Sequence, residues 1–219
     1  MNRSPAFIFD MDGVIVDSTN THTEAWREYL RRHSVEQPYI AERMLGRHNN
    51  AIVAEFFGAH LTPDEVIRHG AEKEALYREL MTPQLGTRLV PGVLDFISRF
   101  PGVPKAIASN AEPENVRFVV EHAGLARQFS VMLSGADVSR PKPAPDVFLR
   151  AAELLGVAPA DCIVFEDSPA GVEAARRAGM RVVGILTTVP NFGNVDLAVR
   201  DFTEPVLHEW LSANSSPVR

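Results

Sequence analysis

The second half of the chain alternates short apolar runs with longer helical segments, and this alternation restricts the fold more than any other feature. The predicted strands are 6–9, 105–109, 130–133, 162–165 and 181–186. The predicted helices of the alternating part are 94–100, 113–123, 145–155, 169–178 and 205–211. Strands that alternate with helices form a parallel sheet with helices on both faces. The sequence therefore predicts an α/β fold.

Residues 18–81 interrupt the alternation, because they show helical periodicity and no strand pattern. Thr62-Pro63-Asp64-Glu65 is a capping box with proline at the first helical position, which predicts a helix start. We therefore expect a small helical bundle inserted after the first strand, and residues 82–92, which contain two prolines and two glycines, as a hinge. The predicted domains are 1–17 with 84–219 for the sheet, and 18–83 for the bundle.

Charge and cysteine content argue against several kinds of partner and cellular environment. The formal net charge is −6 over 219 residues and the basic residues are dispersed, which argues against nucleic acid or an anionic membrane as a partner. Cys162 is the only cysteine, so no intramolecular disulfide can form and a reducing compartment fits. The sequence shows neither a signal peptide nor an apolar stretch long enough to span a membrane. We expect a cytoplasmic monomer that acts on a small molecule.

Polar side chains follow four of the predicted strands at the point where each strand ends. Ligands bind beyond the carboxyl ends of the strands in an open parallel sheet, so these side chains are predicted to line one site. In chain order they are Asp10 and Asp12, Ser109 and Asn110, Lys142, and finally Glu166 and Asp167.

The types of these side chains indicate the chemistry. Four carboxylates without histidine or cysteine suit Mg²⁺ better than Zn²⁺, and a lysine with a serine suits the oxygens of a phosphoryl group. The pair Asp10 and Asp12 allows one ionised nucleophile and one acid that keeps its proton for part of the reaction. Each element also has a plainer interpretation: Glu166-Asp167-Ser168 as a helix cap, and Lys142 as a surface lysine.

The combination of these motifs resembles the haloacid dehalogenase superfamily of phosphotransferases, with similar order and spacing over nearly the whole chain. The similarity is greatest to its β-phosphoglucomutase-like subfamily. The residues that carry the resemblance are Phe9-Asp10-Met11-Asp12-Gly13-Val14, Asp17-Ser18, Ser109-Asn110, Pro141-Lys142-Pro143, Pro145-Asp146, Glu166-Asp167-Ser168 and Gly171. The resemblance implies a Rossmann-like core and makes the helical insertion the cap, which in such enzymes closes over the site and selects the substrate.

The resemblance also implies a role for each motif residue. Asp10 becomes the nucleophile that forms an aspartyl phosphate, and Asp12 becomes the general acid and base. The phosphoryl group is bound by Ser109, Asn110 and Lys142. The Mg²⁺ ligands are Asp10, Asp12 through its main-chain carbonyl, Asp167 and Glu166, the last at or next to the metal.

Cap residues are the candidates for substrate selection. His22 and Trp26 lie on the first predicted cap helix, although a histidine and a tryptophan on a helix face also suit core packing. Arg47, His48 and Asn49 lie at a break in the cap where relatives place specificity residues, and a simple helix-to-helix turn is the alternative.

The predicted activity is that of a Mg²⁺-dependent phosphatase for a small phosphorylated metabolite such as a sugar phosphate. The main alternative is a β-phosphoglucomutase-type mutase, which needs cations for a second phosphate. Asn49 and Glu112 stand where the mutases have an arginine and a lysine, which favours the phosphatase. A dehalogenase would not need Asp12, and a non-catalytic phospho-receiver module would lack the large helical insertion.

Overall fold

The computed structural model describes residues 5–44, 47, 49–58 and 60–214, apart from the side chain of Glu42. The chain divides into two compact units, 1–17 with 88–219 and 18–87. The first unit contains the sheet and the second is helical. The predicted tail of loose residues from Ser212 onward lies largely outside the described residues, and its described part, Ser212 to Asn214, is helical.

Six parallel strands form one sheet in the order β3-β2-β1-β4-β5-β6. Their bounds are β1 Ala6–Phe9, β2 Lys105–Ala108, β3 Val131–Leu133, β4 Cys162–Glu166, β5 Arg181–Ile185 and β6 Leu197–Val199. In register, Phe9 at the end of β1 pairs with Ile107 on one side and with Phe165 on the other. The carboxyl ends of the three central strands therefore lie side by side, as the sequence predicted.

Ten α-helices are present within the described residues. They are α1 Thr19–Arg32, α2 Ile40–Met44, α3 Asn49–Phe57, α4 Pro63–Met81, α5 Leu85–Arg88, α6 Val93–Arg99, α7 Pro113–His122, α8 Asp146–Leu155, α9 Pro169–Arg177 and α10 Pro205–Asn214. None of the helices in the described part of the chain is both long enough and apolar enough to cross a bilayer.

The sequence predicted five strands, and the sixth, β6, was missed. β6 has only three residues, Leu197-Ala198-Val199, of which Ala198 is exposed and only Val199 is buried, so its apolar run is too short to stand out in the sequence as a buried strand. Its pairing with β5 places it at the edge of the sheet. Short α5 was also missed, inside the segment predicted as a hinge. Both elements are too short for hydrophobic periodicity to reveal them.

The central strand β1 is buried on both faces, and successive side chains point to opposite sides of the sheet. On one side Phe9 stacks on Phe165 with ring centroids 4.6 Å apart. On the other side Ile8 lies in a cluster with Phe148 of α8 and Ala175 of α9. Packing on both faces fixes the strand, and with it the position of the residue that follows.

The helical unit is built around α1 and α4. Thr62 and Glu65 form the predicted capping box at the start of α4: the Glu65 N–H donates to the Thr62 hydroxyl (3.3 Å) and the Thr62 N–H donates to the Glu65 carboxylate (2.8 Å). Buried Trp26 of α1 packs edge-on against Phe56 of α3 at 5.4 Å. The unit thus has a core of its own.

Candidate active site

Asp10 follows β1 and begins the site. Its N–H donates to the Phe165 carbonyl at 3.0 Å, which continues the pairing with β4 by one residue. The chain then turns, and Gly13 adopts a φ of 73°, where residues with a side chain are strained. A Cβ at Gly13 would also collide with the Asp167 carboxylate. Glycine is therefore required for the turn and for the close approach of Asp167.

Lys142 joins the first and fourth strand ends by two ion pairs. Its ammonium lies 3.0 Å from Asp10 Oδ1 and 2.6 Å from Glu166 Oε1. All three residues are buried, Glu166 completely. Charge-assisted contacts away from water are strong and hold their groups in fixed geometry. The surface-lysine interpretation of Lys142 is therefore wrong.

Asn110 holds the loop that carries Lys142. The Lys142 N–H donates to Asn110 Oδ1 at 3.1 Å, and the Asn110 amide donates back to the Lys142 carbonyl at 3.5 Å. The neighbouring Ser109 directly follows β2 in a buried position, and its hydroxyl accepts from the Ala111 N–H at 3.1 Å. The side chain of Asn110 thus orients Lys142, which is a contact that the sequence did not predict.

Glu166 is fixed by the start of α9. Its Oε2 accepts from the Ser168 N–H at 2.8 Å and from the Ser168 hydroxyl at 3.0 Å. The same hydroxyl caps α9 by accepting from the Gly171 N–H at 3.0 Å. A Cβ at Gly171 would collide with the Glu166 carboxylate. The helix cap predicted for this motif is present, and it also orients a buried carboxylate.

Gly171→Ala is expected to reduce activity at least tenfold by displacing Glu166, although alanine favours the helix that contains it. Steady-state kinetics on a phosphate ester, the substrate class that the sequence predicts, would measure the loss. Ala170→Gly, one residue earlier in the same helix, is the control for helix propensity. Wild-type activity in Gly171→Ala would contradict the packing argument.

Two threonines after β5 complete the site, and the sequence analysis missed both. Thr188 donates its hydroxyl proton to Asp167 Oδ2, and Thr187 donates to the Gly13 carbonyl at 2.5 Å. They directly follow the predicted fifth strand, so inspecting that strand end as well would have found them. Thr188 holds Asp167 towards the other carboxylates.

Carboxylate oxygens of Asp10, Glu166 and Asp167 lie within 4.8 Å of one another. Burial raises the pKa of Asp10 to about 8; Lys142 acts against this shift, while Glu166 and Asp12 add to it. Burial, followed by Glu166 and Asp10, also raises the pKa of Asp167. Burial disfavours the charge on Lys142, but the two carboxylates beside it hold its pKa above the usual range. Three converging carboxylates beside a single lysine suit one further hard cation.

Asp12 is placed differently from these three residues. Asp12 is partly exposed, and its main chain forms an isolated β-bridge with Val16 in the turn. Its carboxylate is not part of the buried carboxylate cluster of Asp10, Glu166 and Asp167. The structure thus separates a buried Asp10 from a more accessible Asp12 two residues later. Such a difference in surroundings allows two carboxylates to take different roles.

The candidate residues of the helical unit contact other residues of that unit. His22 stacks on Tyr77 with centroids 3.7 Å apart and accepts a hydrogen bond from Lys73 at 3.2 Å. Trp26 is buried, and Arg47 forms an ion pair with Glu55. Asn49 is the first residue of α3. His48 and the neighbouring Gly46 lie outside the described residues.

Comparison with known proteins gives matches over most of the chain. A profile of haloacid dehalogenase-like hydrolases matches residues 5–179. Fructose-1-phosphate phosphatase YqaB of Escherichia coli K12 is 33% identical over 189 residues, covering 84% of this chain and 97% of that protein. Beta-phosphoglucomutase of Bacillus subtilis 168 is 31% identical over 219 residues, covering 93% and 94%. The crystal structure of a beta-phosphoglucomutase from Clostridium difficile superposes with a TM-score of 0.79 at 25% identity, covering 97% of this chain and 99% of that one.

Proposed function

We propose that this chain, which belongs to the haloacid dehalogenase-like hydrolases, hydrolyses the phosphate monoester of a small metabolite through an aspartyl phosphate on Asp10. The observation that carries the proposal is the buried Asp10 carboxylate, 3.0 Å from the Lys142 ammonium at the carboxyl end of the central strand. Lys142 binds an oxygen of the phosphoryl group and keeps it next to the attacking carboxylate. The relatives that are named as phosphatases support the same reaction class.

The reaction takes place in two displacements at phosphorus. In the first, an Asp10 oxygen forms a bond to phosphorus while the ester bond breaks, and the Asp12 carboxyl gives its proton to the leaving oxygen. In the second, water attacks the aspartyl phosphate as the Asp12 carboxylate takes its proton, and the bond from phosphorus to Asp10 breaks. Inorganic phosphate leaves, and both aspartates return to their starting states.

The remaining residues of the site bind and orient. Ser109 and Lys142 bind the phosphoryl group. Asn110 orients Lys142, because its side chain accepts a hydrogen bond from the Lys142 N–H. Asp10, Glu166 and Asp167 would hold Mg²⁺, with the main-chain carbonyl of Asp12 as a further ligand. When bound, Mg²⁺ supplies positive charge that favours the ionised form of Asp10 and neutralises phosphoryl oxygens. Residues 18–87 form the cap that selects the substrate. Its candidate residues are His22, Trp26, Arg47, His48 and Asn49.

A sugar-phosphate mutase is the second candidate, favoured by the similarity to the Bacillus beta-phosphoglucomutase. A mutase must retain a bisphosphate intermediate, so it needs a second site for an anion. Glu112, at the cap of α7, brings a carboxylate to the position where the mutases have a lysine. A negative charge there repels a second phosphate, which favours hydrolysis over transfer.

The test is phosphate release from a broad panel of phosphorylated metabolites, with Mg²⁺ and with a chelator. We expect release from at least one sugar phosphate or related ester, and at least about a hundredfold loss when Mg²⁺ is removed. A second arm supplies β-glucose 1-phosphate with a trace of the bisphosphate. Glucose 6-phosphate formed faster than inorganic phosphate would identify a mutase, and release that is unaffected by chelation would contradict the metal assignment.

A further inference from the structure

A second group of metal-binding side chains lies in the helical unit, apart from the residues assigned to phosphate chemistry. It consists of His33, which directly follows α1, and of His69 and Glu72 on α4. Their candidate ligand atoms lie within 4.8 Å of one another. His69 and Glu72 are three residues apart on a helix, so their side chains lie on the same face. His33 and Glu72 are exposed, which leaves the group accessible from solvent.

Tyr29 determines which nitrogen of His69 is available. The buried Tyr29 hydroxyl donates its single proton to Glu72 Oε2 at 2.6 Å. The Tyr29 hydroxyl oxygen also lies 2.8 Å from His69 Nδ1. Because its proton is already donated to Glu72, this oxygen accepts the Nδ1–H of His69. A neutral His69 therefore has its lone pair on Nε2, while Glu72 keeps a second oxygen for coordination.

The orientation of His33 follows by the same reasoning. Its Nδ1 lies 2.9 Å from the main-chain carbonyl of Tyr29, and a carbonyl can only accept. His33 therefore donates from Nδ1 and has its lone pair on Nε2 when neutral. Metal-binding histidines characteristically use one ring nitrogen to donate to a carbonyl, carboxylate or hydroxyl, which fixes the ring and the tautomer. Tyr29 provides this support to both rings.

We propose that His33, His69 and Glu72 form a zinc site that ties the end of α1 to α4. Two imidazoles and one carboxylate suit Zn²⁺, whereas Mg²⁺ prefers oxygen ligands alone. With Zn–N bonds of about 2.0–2.1 Å, a tetrahedral site brings its ligand atoms to roughly 3.3 Å from one another. For zinc to bind, the candidate ligand atoms, which now lie within 4.8 Å of one another, must approach to that distance, and water takes the fourth position.

Aromatic packing is the alternative explanation for the same residues. Phe57 stacks on His69 with centroids 4.3 Å apart and meets the His33 ring at 5.5 Å. Packing alone explains why the two rings lie close together. It does not explain why the Tyr29 hydroxyl joins His69 Nδ1 to the Glu72 carboxylate. The contact of His33 with the Tyr29 carbonyl, by contrast, recurs between His122 and Phe118 at the end of α7.

The experiment is calorimetric titration of the full chain with Zn²⁺, with Mg²⁺ in large excess so that the buried carboxylates of the other unit are occupied. We expect one equivalent to bind, and the thermal midpoint of unfolding to rise on binding. His33→Ala and His69→Ala should each abolish this binding event. His208→Ala, on α10 of the other unit, is the matched control and should bind as the wild type does.

Tyr29→Phe separates the proposal from simple packing, because it keeps the ring and every metal ligand. Loss of a residue that orients ligands typically costs 10–100-fold in metal affinity, and we expect about that loss here. Zinc binding of equal affinity in the wild type and in the His33→Ala/His69→Ala double variant would overturn the proposal. So would the absence of zinc binding by the wild-type chain.

Discussion

Asp10→Asn is expected to lower the turnover of any accepted phosphate ester by about 10⁴-fold or more, because the amide keeps the shape of the side chain but cannot act as the nucleophile. The change also removes one negative charge from a buried group, so the variant should stay folded. Kinetics and circular dichroism on the same preparation would measure both effects. More than a tenth of wild-type activity in the variant would contradict the assignment of the nucleophile.

Two further substitutions are needed to interpret the activity of Asp10→Asn, one as a control and one as a test of the general acid. Asp161→Asn, the same change just before β4 at the opposite end of the sheet, should leave activity near the wild-type value. Asp12→Asn should slow esters with poor leaving groups more than aryl phosphates, whose leaving groups need little protonation. An equal loss on both kinds of ester would show that Asp12 does not protonate the leaving oxygen.

Lys142→Met is expected to lower both activity and stability, because it leaves the carboxylates of Asp10 and Glu166 without their shared partner. Removing one member of a buried ion pair typically costs about 3–5 kcal/mol in the free energy of unfolding. Loss of one group that stabilises transferred charge typically costs about 10²–10³-fold in turnover. Urea denaturation in the presence of a chelator and steady-state kinetics with Mg²⁺ would measure the two effects separately.

The chain offers a matched control in Lys105, which is also buried but begins β2 at the other end of the sheet. Its ammonium donates to the carbonyls of Phe100 and Val103, the latter at 3.2 Å. Lys105→Met should reduce stability and leave the turnover of the folded fraction unchanged. If both lysine variants lost turnover equally, the loss in Lys142→Met would be due to destabilised folding and not to the loss of a phosphoryl-binding group.

The sequence alone predicted the parallel sheet. It also predicted that Asp10, Lys142, Glu166 and Asp167 lie at one edge of this sheet. This prediction succeeded because it needed only two kinds of information. Apolar runs that alternate with helices determine that the strands are parallel, and parallel strands have their carboxyl ends at one edge. The residues that follow each strand are then neighbours in space, although they are far apart in the chain.

Tertiary structure decided the contacts that give these residues their geometry. Thr188 reaches Asp167, Asn110 holds the Lys142 loop, and Gly171 leaves space for Glu166. The sheet edge β6 and the grouping of His33 with residues of α4 were equally hidden in the sequence. The physical reason is the same in each case, because these features depend on distances between side chains from separate elements. Periodicity and motif spacing describe one element at a time, so they identify which groups meet but not how each group is held.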